Sequence, residues 1–335
     1  MNSLKSLFLC LFLLISIVWI VNYEDQTRVY VLDPLKLLES KSNFSHRSTR
    51  ITHAPIFISG DEDFITQVTA EYWPGEGTIA NPFIIEGYTI SAAEGPLISI
   101  SDTIFYFNIR NNLLNGSNAA TEGIHFSNVH HGTIENNIIC NNAAIDGGIV
   151  FEFSSSYNLI INNSIFGNQM GMNIRGQHNR IINNSVYQNG MAIWLNTDTF
   201  NSTVVGNTIY NNTGSGIQLE QSHSNFICKN TIYGSKVNGI DFIHSLGNVI
   251  ENNTISNTVL GISLWESSQN NVSSNLVFNN MGGISLYYST DNSFWNNTAQ
   301  ENHNLGVDLE MSSHNNTFFT NKILKNGIVG GILFD

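Results

Sequence analysis

The sequence predicts an all-β fold: a right-handed parallel β-helix (β-solenoid) of about ten coils with an N-terminal cap, preceded by an N-terminal transmembrane or signal helix. Three observations predict it. A Gly-Ile-x-apolar element, varied at Met172 and Ala192, recurs from Gly123 to Gly331 at spacings of 21 to 25 residues. A column of asparagines keeps the same period independently: Asn112, Asn137, Asn163, Asn184, Asn207, Asn230, Asn253, Asn275, Asn297 and Asn321. All five prolines lie within the first 96 residues, so none interrupts the hydrogen bonds between coils after Pro96.

A repeat of this length is too short for a pair of helices, which needs roughly 33–47 residues, and it lacks the leucine spacing of leucine-rich repeats. Within a copy the apolar residues alternate: Ile217 and Leu219, then Phe226, then Ile232. Alternation means strands. Gly and Asn tolerate the left-handed backbone that tight corners need. Successive coils then stack about 4.8 Å apart. The residues one and three after each Gly, from Ile124 and Phe126 to Ile332 and Phe334, predict a core in which like stacks on like. The asparagine column predicts an amide ladder along one corner.

In chain order, residues 1–22 read as a signal-anchor or signal peptide. Leu7 to Val21 is apolar apart from Cys10 and Ser16, and Lys5 precedes it. No small-residue cleavage site follows at Trp19 to Tyr23, which favours an uncleaved single-pass anchor in the cell membrane with the rest outside. A secreted chain is the alternative. Residues 23–52 read as an extracellular linker, with a helical turn at Leu35 to Leu38. Residues 53–96 form the N-terminal cap and first strands. Asp61 is expected to N-cap a short helix with Phe64, Ile65 and Val68 on one face, and Trp73 to help cover the end of the solenoid. Residues 97–335 are the coils. The last one stops inside a strand at Phe334, an open edge that would suit an oligomer contact.

The formal net charge is −13 with only 13 Lys and Arg, which argues against a nucleic-acid partner. Three cysteines without a CxxC pair make neither a disulfide framework nor a metal site, and no cofactor is expected. Cys140 and Cys228 fall four coils apart, too far to pair. His130, His131, His178, His223 and His314 share a corner but sit mostly two or more coils apart, so they read as polar corner residues rather than metal ligands. Most of the ten Asn-x-Ser/Thr sequons follow from the repeat itself. Asn43, in the linker, is the best glycan acceptor.

The residues two and four after each Gly point outward and stack into a face. Glu220 and Asp241 are diagonal neighbours there, with Cα atoms about 8 Å apart. Such a carboxyl pair suits an inverting glycosidase, and these two are the candidate catalytic residues. Trp194, Gln218, Trp265 and Tyr287 on the same face are the candidate carbohydrate-binding residues. Glu152 and Arg175 are expected to pair at the surface. Asn196-Thr197-Asp198 matches one polygalacturonase motif, but the partner motifs do not follow in order.

The leader carries His53-Ala-Pro-Ile-Phe-Ile-Ser-Gly-Asp61, then Trp73-Pro-Gly-Glu-Gly-Thr78 and Asn81-Pro-Phe-Ile-Ile-Glu-Gly-Tyr88. With the Asn-x-Ile and Gly-Ile-x-Leu coils, it resembles the NosD-like right-handed β-helix proteins over residues 53 to 335. The leader is similar to that of archaeal surface members. The resemblance implies carbohydrate binding or sugar hydrolysis and, for some members, periplasmic copper binding. The expected function is a membrane-anchored extracellular β-helix that binds polysaccharide or glycoprotein glycans on its outward strand face. A glycoside hydrolase or polysaccharide lyase, a structural or adhesive surface protein, and a copper-binding protein are the alternatives.

Overall fold

A computed structural model describes residues 50–327 and the strand Ile332–Phe334. The expected membrane or signal helix, most of the linker and Asn43 lie outside the described residues. Among the described residues no helix is long and apolar enough to cross a membrane.

The chain winds into an all-β right-handed parallel solenoid of about eleven turns. Each coil contributes three short strands, for example Ile217–Glu220, Phe226–Cys228 and Thr231–Tyr233. They build three faces, here the glycine, middle and asparagine faces in that order. The middle face has eleven strands. The other two are joined into one sheet of 23 strands, because Leu113–Val129 runs round the corner between them. The named strands pair in parallel and, apart from a shift between Asn115 and Ala119, in register: Ile193, Ile217, Ile240, Ile262 and Ile284 follow one another on adjacent strands, each almost wholly buried.

The corners explain the asparagine content. A left-handed residue turns the chain, as at Lys229 (φ 55°) and Asn252 (φ 56°), and a buried Asn follows it. Asn pays least among non-glycine residues for a left-handed backbone, so Asn-Asn pairs suit this step. The buried Asn bonds to the next coil. The backbone N–H and the Nδ2 of Asn230 both donate to Oδ1 of Asn253, at 2.9 and 3.0 Å, and the same Nδ2 donates to the Val204 carbonyl. The expected ladder is therefore present, and two further corners carry their own. One runs through Asn142, Asn168, Asn189 and Asn212, and the other through Asn225, Asn248, Asn270 and Asn292.

The glycine of the repeated element is required by packing. A Cβ on Gly261 would lie 2.1 Å from Cγ1 of Val277 and 2.8 Å from the Gly283 carbonyl oxygen.

Two expectations need correction. Phe226, one of the alternating apolar residues, is 36% exposed, and Ile227 takes the core position. The corner residue Asn225 is itself buried, so alternation on the middle strand starts one residue earlier than the apolar pattern suggests. Ahead of the first Gly-Ile copy, Ile56 and Ile58 pair with Ile98 and Ile100, which pair with Ile124 and Phe126. Second, the helix spans Gly60–Glu71 and its N-cap is Ser59, not Asp61. Asp63 accepts a hydrogen bond from the Ser59 N–H at 2.9 Å, while Asp61 accepts one from the Thr103 hydroxyl at 2.6 Å. Phe64 is buried among Phe83, Phe105 and Phe107, but Ile65 is 52% exposed. Trp73 is buried as expected.

Candidate functional site

The outward side of the glycine face carries two columns. In the first, Asn173, Trp194, Gln218, Asp241 and Ser263 lie in register on successive strands. In the second, Glu220, Ile243, Trp265, Tyr287 and Glu310 do the same. Sheet spacing therefore brings Trp194, Gln218 and Asp241 together, with Glu220 diagonal to Asp241 as the sequence indicated. Trp194 and Trp265 stand three coils apart, about 14 Å along the axis, and on different columns. Trp265 is half exposed and packs against Tyr287, ring centres 5.2 Å apart, and Tyr287 meets Tyr288 edge-on at 4.7 Å.

The first column is not a solvated surface. Asn173 and Asp241 in it are buried, as is the neighbouring Asn196, while Trp194 and Gln218 are half-buried. Residues of the loops entering glycine strands reach two of them: Asp146 accepts a hydrogen bond from Asn173 Nδ2 at 2.7 Å, and Asn238 and Ser215 hydrogen-bond to Asp241. After its own strand, Asn196 Nδ2 donates to Asn173 Oδ1. Burial raises the Asp241 carboxyl above its ordinary value, and the nearby Glu220 charge adds to this. Hydrogen bonds with Ser263, Asn238 and Ser215 work in the opposite direction. Glu220 accepts a hydrogen bond from Gln218 Nε2 at 3.2 Å. The pair thus joins a carboxyl held toward its neutral form to a more exposed one.

A further cluster begins four coils before Glu220. His125 Nδ1 is 2.6 Å from Glu122 Oε2. That bond raises the His125 pKa against the opposing effect of burial, with smaller help from the Glu122, Glu152 and Asp146 charges. Arg175 pairs with Glu152 at 3.1 Å, as expected, and lies over the Phe153 ring. Arg175 Nε and Trp194 Nε1 are buried without a hydrogen-bond partner among the described residues. The sequence pointed to His125 as an outward residue but not to its pairing, because Glu122 precedes the repeated Gly, in the part of Leu113–Val129 that lies before the repeated element. An acid preceding the Gly was the only available signal.

The corner histidines do not gather. His131 stacks on Tyr106, ring centres 4.4 Å apart, and His178 stacks on Tyr157 at 4.7 Å. Among the described residues no group of three or more His, Cys, Asp or Glu is arranged to hold a metal ion. Cys140 and Cys228 are free and buried, on the asparagine and middle faces.

The right-handed β-helix region family matches residues 191–335. Comparison with curated protein sequences gives no match. Several solved structures share the fold. The Dettilon tailspike protein gp208 is 17% identical with a TM-score of 0.65, over 84% of this chain and 61% of the tailspike, so this chain spans less than two thirds of it. The A-module of the Azotobacter vinelandii mannuronan C-5 epimerase AlgE4 is 13% identical with a TM-score of 0.61, over 85% of this chain and 89% of the module. A mutant of the periplasmic alginate epimerase AlgG is 14% identical with a TM-score of 0.53, over 82% of this chain and 86% of the epimerase. At these identities the likeness is one of fold. The chain is thus an all-β, right-handed parallel β-helix whose residues 191–335 match the right-handed β-helix region family.

Proposed function

We propose that this chain is an extracellular β-helix, held at the membrane by its N-terminal segment, that binds polysaccharide or glycoprotein glycans along the glycine face. One observation carries the reading. Trp194, Gln218 and Asp241 occupy adjacent strands in register, and the Trp265–Tyr287 pair continues the surface on the next two coils. Aromatic rings with polar neighbours at strand spacing suit an extended sugar chain. The NosD-like sequence resemblance and the polysaccharide enzymes named among the fold neighbours support it. The test is retention of the full chain on a polysaccharide panel. Trp265→Ala with Tyr287→Ala should weaken retention about tenfold or more. Unchanged retention would refute this site.

A second reading is favoured by Asp241 and Glu220. Their diagonal placement puts a buried carboxyl beside a half-buried one, the arrangement used for acid and base roles in glycoside hydrolysis. New reducing ends released from one polymer, and lost in both Asp241→Asn and Glu220→Gln, would establish it. Silence across the panel would leave binding as the function.

A further inference from the structure

The asparagine face carries a different surface. On the asparagine face the rings of Phe166, Tyr187, Tyr210 and Tyr233 stack on four successive coils, with centres 4.9, 4.8 and 5.2 Å apart and planes within 13° of parallel. Two residues before each tyrosine stands a hydroxyl in the same register: Ser185, Thr208 and Thr231. The outward positions of this face, from Ile138 to Gln300, carry no charged residue. On the glycine face, by contrast, stand Glu152, Glu220, Asp241 and Glu310.

We propose that the asparagine face is a second binding surface, for a neutral polysaccharide chain lying along the solenoid axis with about one sugar per coil. Charge selects the ligand class. An anionic polymer approaching a chain of net charge −13 finds no cation on this face, and a cationic one finds carboxylates only on the other faces. A neutral sugar chain matches what is present, hydroxyls beside aromatic carbon. Periodicity selects a polymer. The same pair of groups recurs at coil spacing, about 4.8 Å, which is close to the length of one sugar in an extended chain. Stacking covers the ring faces with one another, so the half-buried tyrosines offer edges and phenol groups in a fixed comb. Their order is set before a ligand arrives, so little side-chain entropy is lost on binding. Burial also raises the Tyr210 and Tyr233 phenols above the ordinary tyrosine value, which keeps them neutral donors.

The test is co-sedimentation of the full chain with microcrystalline cellulose, chitin and insoluble xylan, against calcium alginate as the acidic comparison. The expected result is retention on at least one neutral polymer. Thr208→Glu with Thr231→Glu should reduce it about tenfold or more, since each places a charge under the ligand. Tyr210→Phe with Tyr233→Phe keeps the stack and removes two hydroxyls, and should reduce retention less. Arg180→Glu with Thr203→Glu, adjacent outward residues of the middle face, should leave it unchanged, which ties the loss to this surface and not to added charge alone. No retention on any neutral polymer would overturn the proposal. So would preference for alginate, retention indifferent to the asparagine-face variants, or variants that change only the self-association of the chain in sedimentation.

Discussion

Oδ1 of Asn207 accepts two hydrogen bonds from Asn184, one coil earlier: the backbone N–H at 2.8 Å and the side-chain Nδ2 at 3.0 Å. Asn207 in turn donates its own Nδ2 to the Ile181 and Val205 carbonyls. One buried amide therefore satisfies backbone groups on two coils. Asn207→Ala should cost about 3 kcal/mol, because the Asn184 N–H is left buried without an acceptor. Urea unfolding measures the loss. A cost below about 1 kcal/mol would mean that water replaces the amide and that the ladder is dispensable.

The ladder on the corner leaving the asparagine face is interrupted. Asn189 donates to Oδ1 of Asn212, but the next two positions are Ser235 and Thr258 before Asn280 resumes it. Ser235 Oγ is buried without a hydrogen-bond partner among the described residues. Ser235→Asn should restore the missing link and stabilise the fold by about 1 kcal/mol. The thermal midpoint checks this, and a lower midpoint would show that the corner lacks room for the larger amide.

Asp241 is buried on the outward side of its strand, and its carboxyl is held above the ordinary value of 3.8. Between 3.8 and the raised folded value, the folded state binds the proton more tightly than the unfolded chain does. Stability therefore falls as pH rises through that window, and the loss is complete above it. Asp241→Asn should flatten this slope and raise stability at neutral pH relative to the parent. Melting curves from pH 4 to 7 would read it, and parallel pH profiles for parent and variant would contradict it.

The Glu122–His125 pair has the same sign, in a higher pH window. Glu122 raises the His125 value above 6.5, so its stabilisation is fully present below 6.5 and is lost as pH rises through the folded value. Glu122→Gln should cost about 1 kcal/mol at pH 6 and nothing measurable at pH 9. Titration of the His125 ring by NMR should show a lower midpoint in the variant. An unmoved midpoint would dissociate the pair.

Much of the architecture was readable from periodicity alone. Two columns of one period required stacked coils, and the inward Ile124 and Phe126 columns are buried throughout the described coils. The two additional asparagine ladders were readable too. Asn142, Asn168 and Asn189, or Asn248, Asn270 and Asn292, repeat at coil spacing, although sparser stretches at Ser202 and Ser235 break the pattern. The phase of the middle face was not readable. Phe226 and Ile227 are both apolar, and only the buried corner residue before them decides which turns inward.

Sequence by itself determined the solenoid, its coil length, its core columns and the diagonal placement of Glu220 and Asp241, because these follow from a fixed period and strand geometry. Tertiary structure decided which outward residues meet solvent. Asn173 and Asp241 occupy the same outward column as the half-buried Trp194, yet loops from neighbouring coils fold over them. It also decided that Glu122 reaches His125 and that the tyrosines stack into one comb. Those outcomes depend on side-chain direction at loops whose lengths vary from coil to coil, and on contacts between residues a whole coil apart. A repeat pattern carries the average coil. The individual departures from it are settled only when the coils stack.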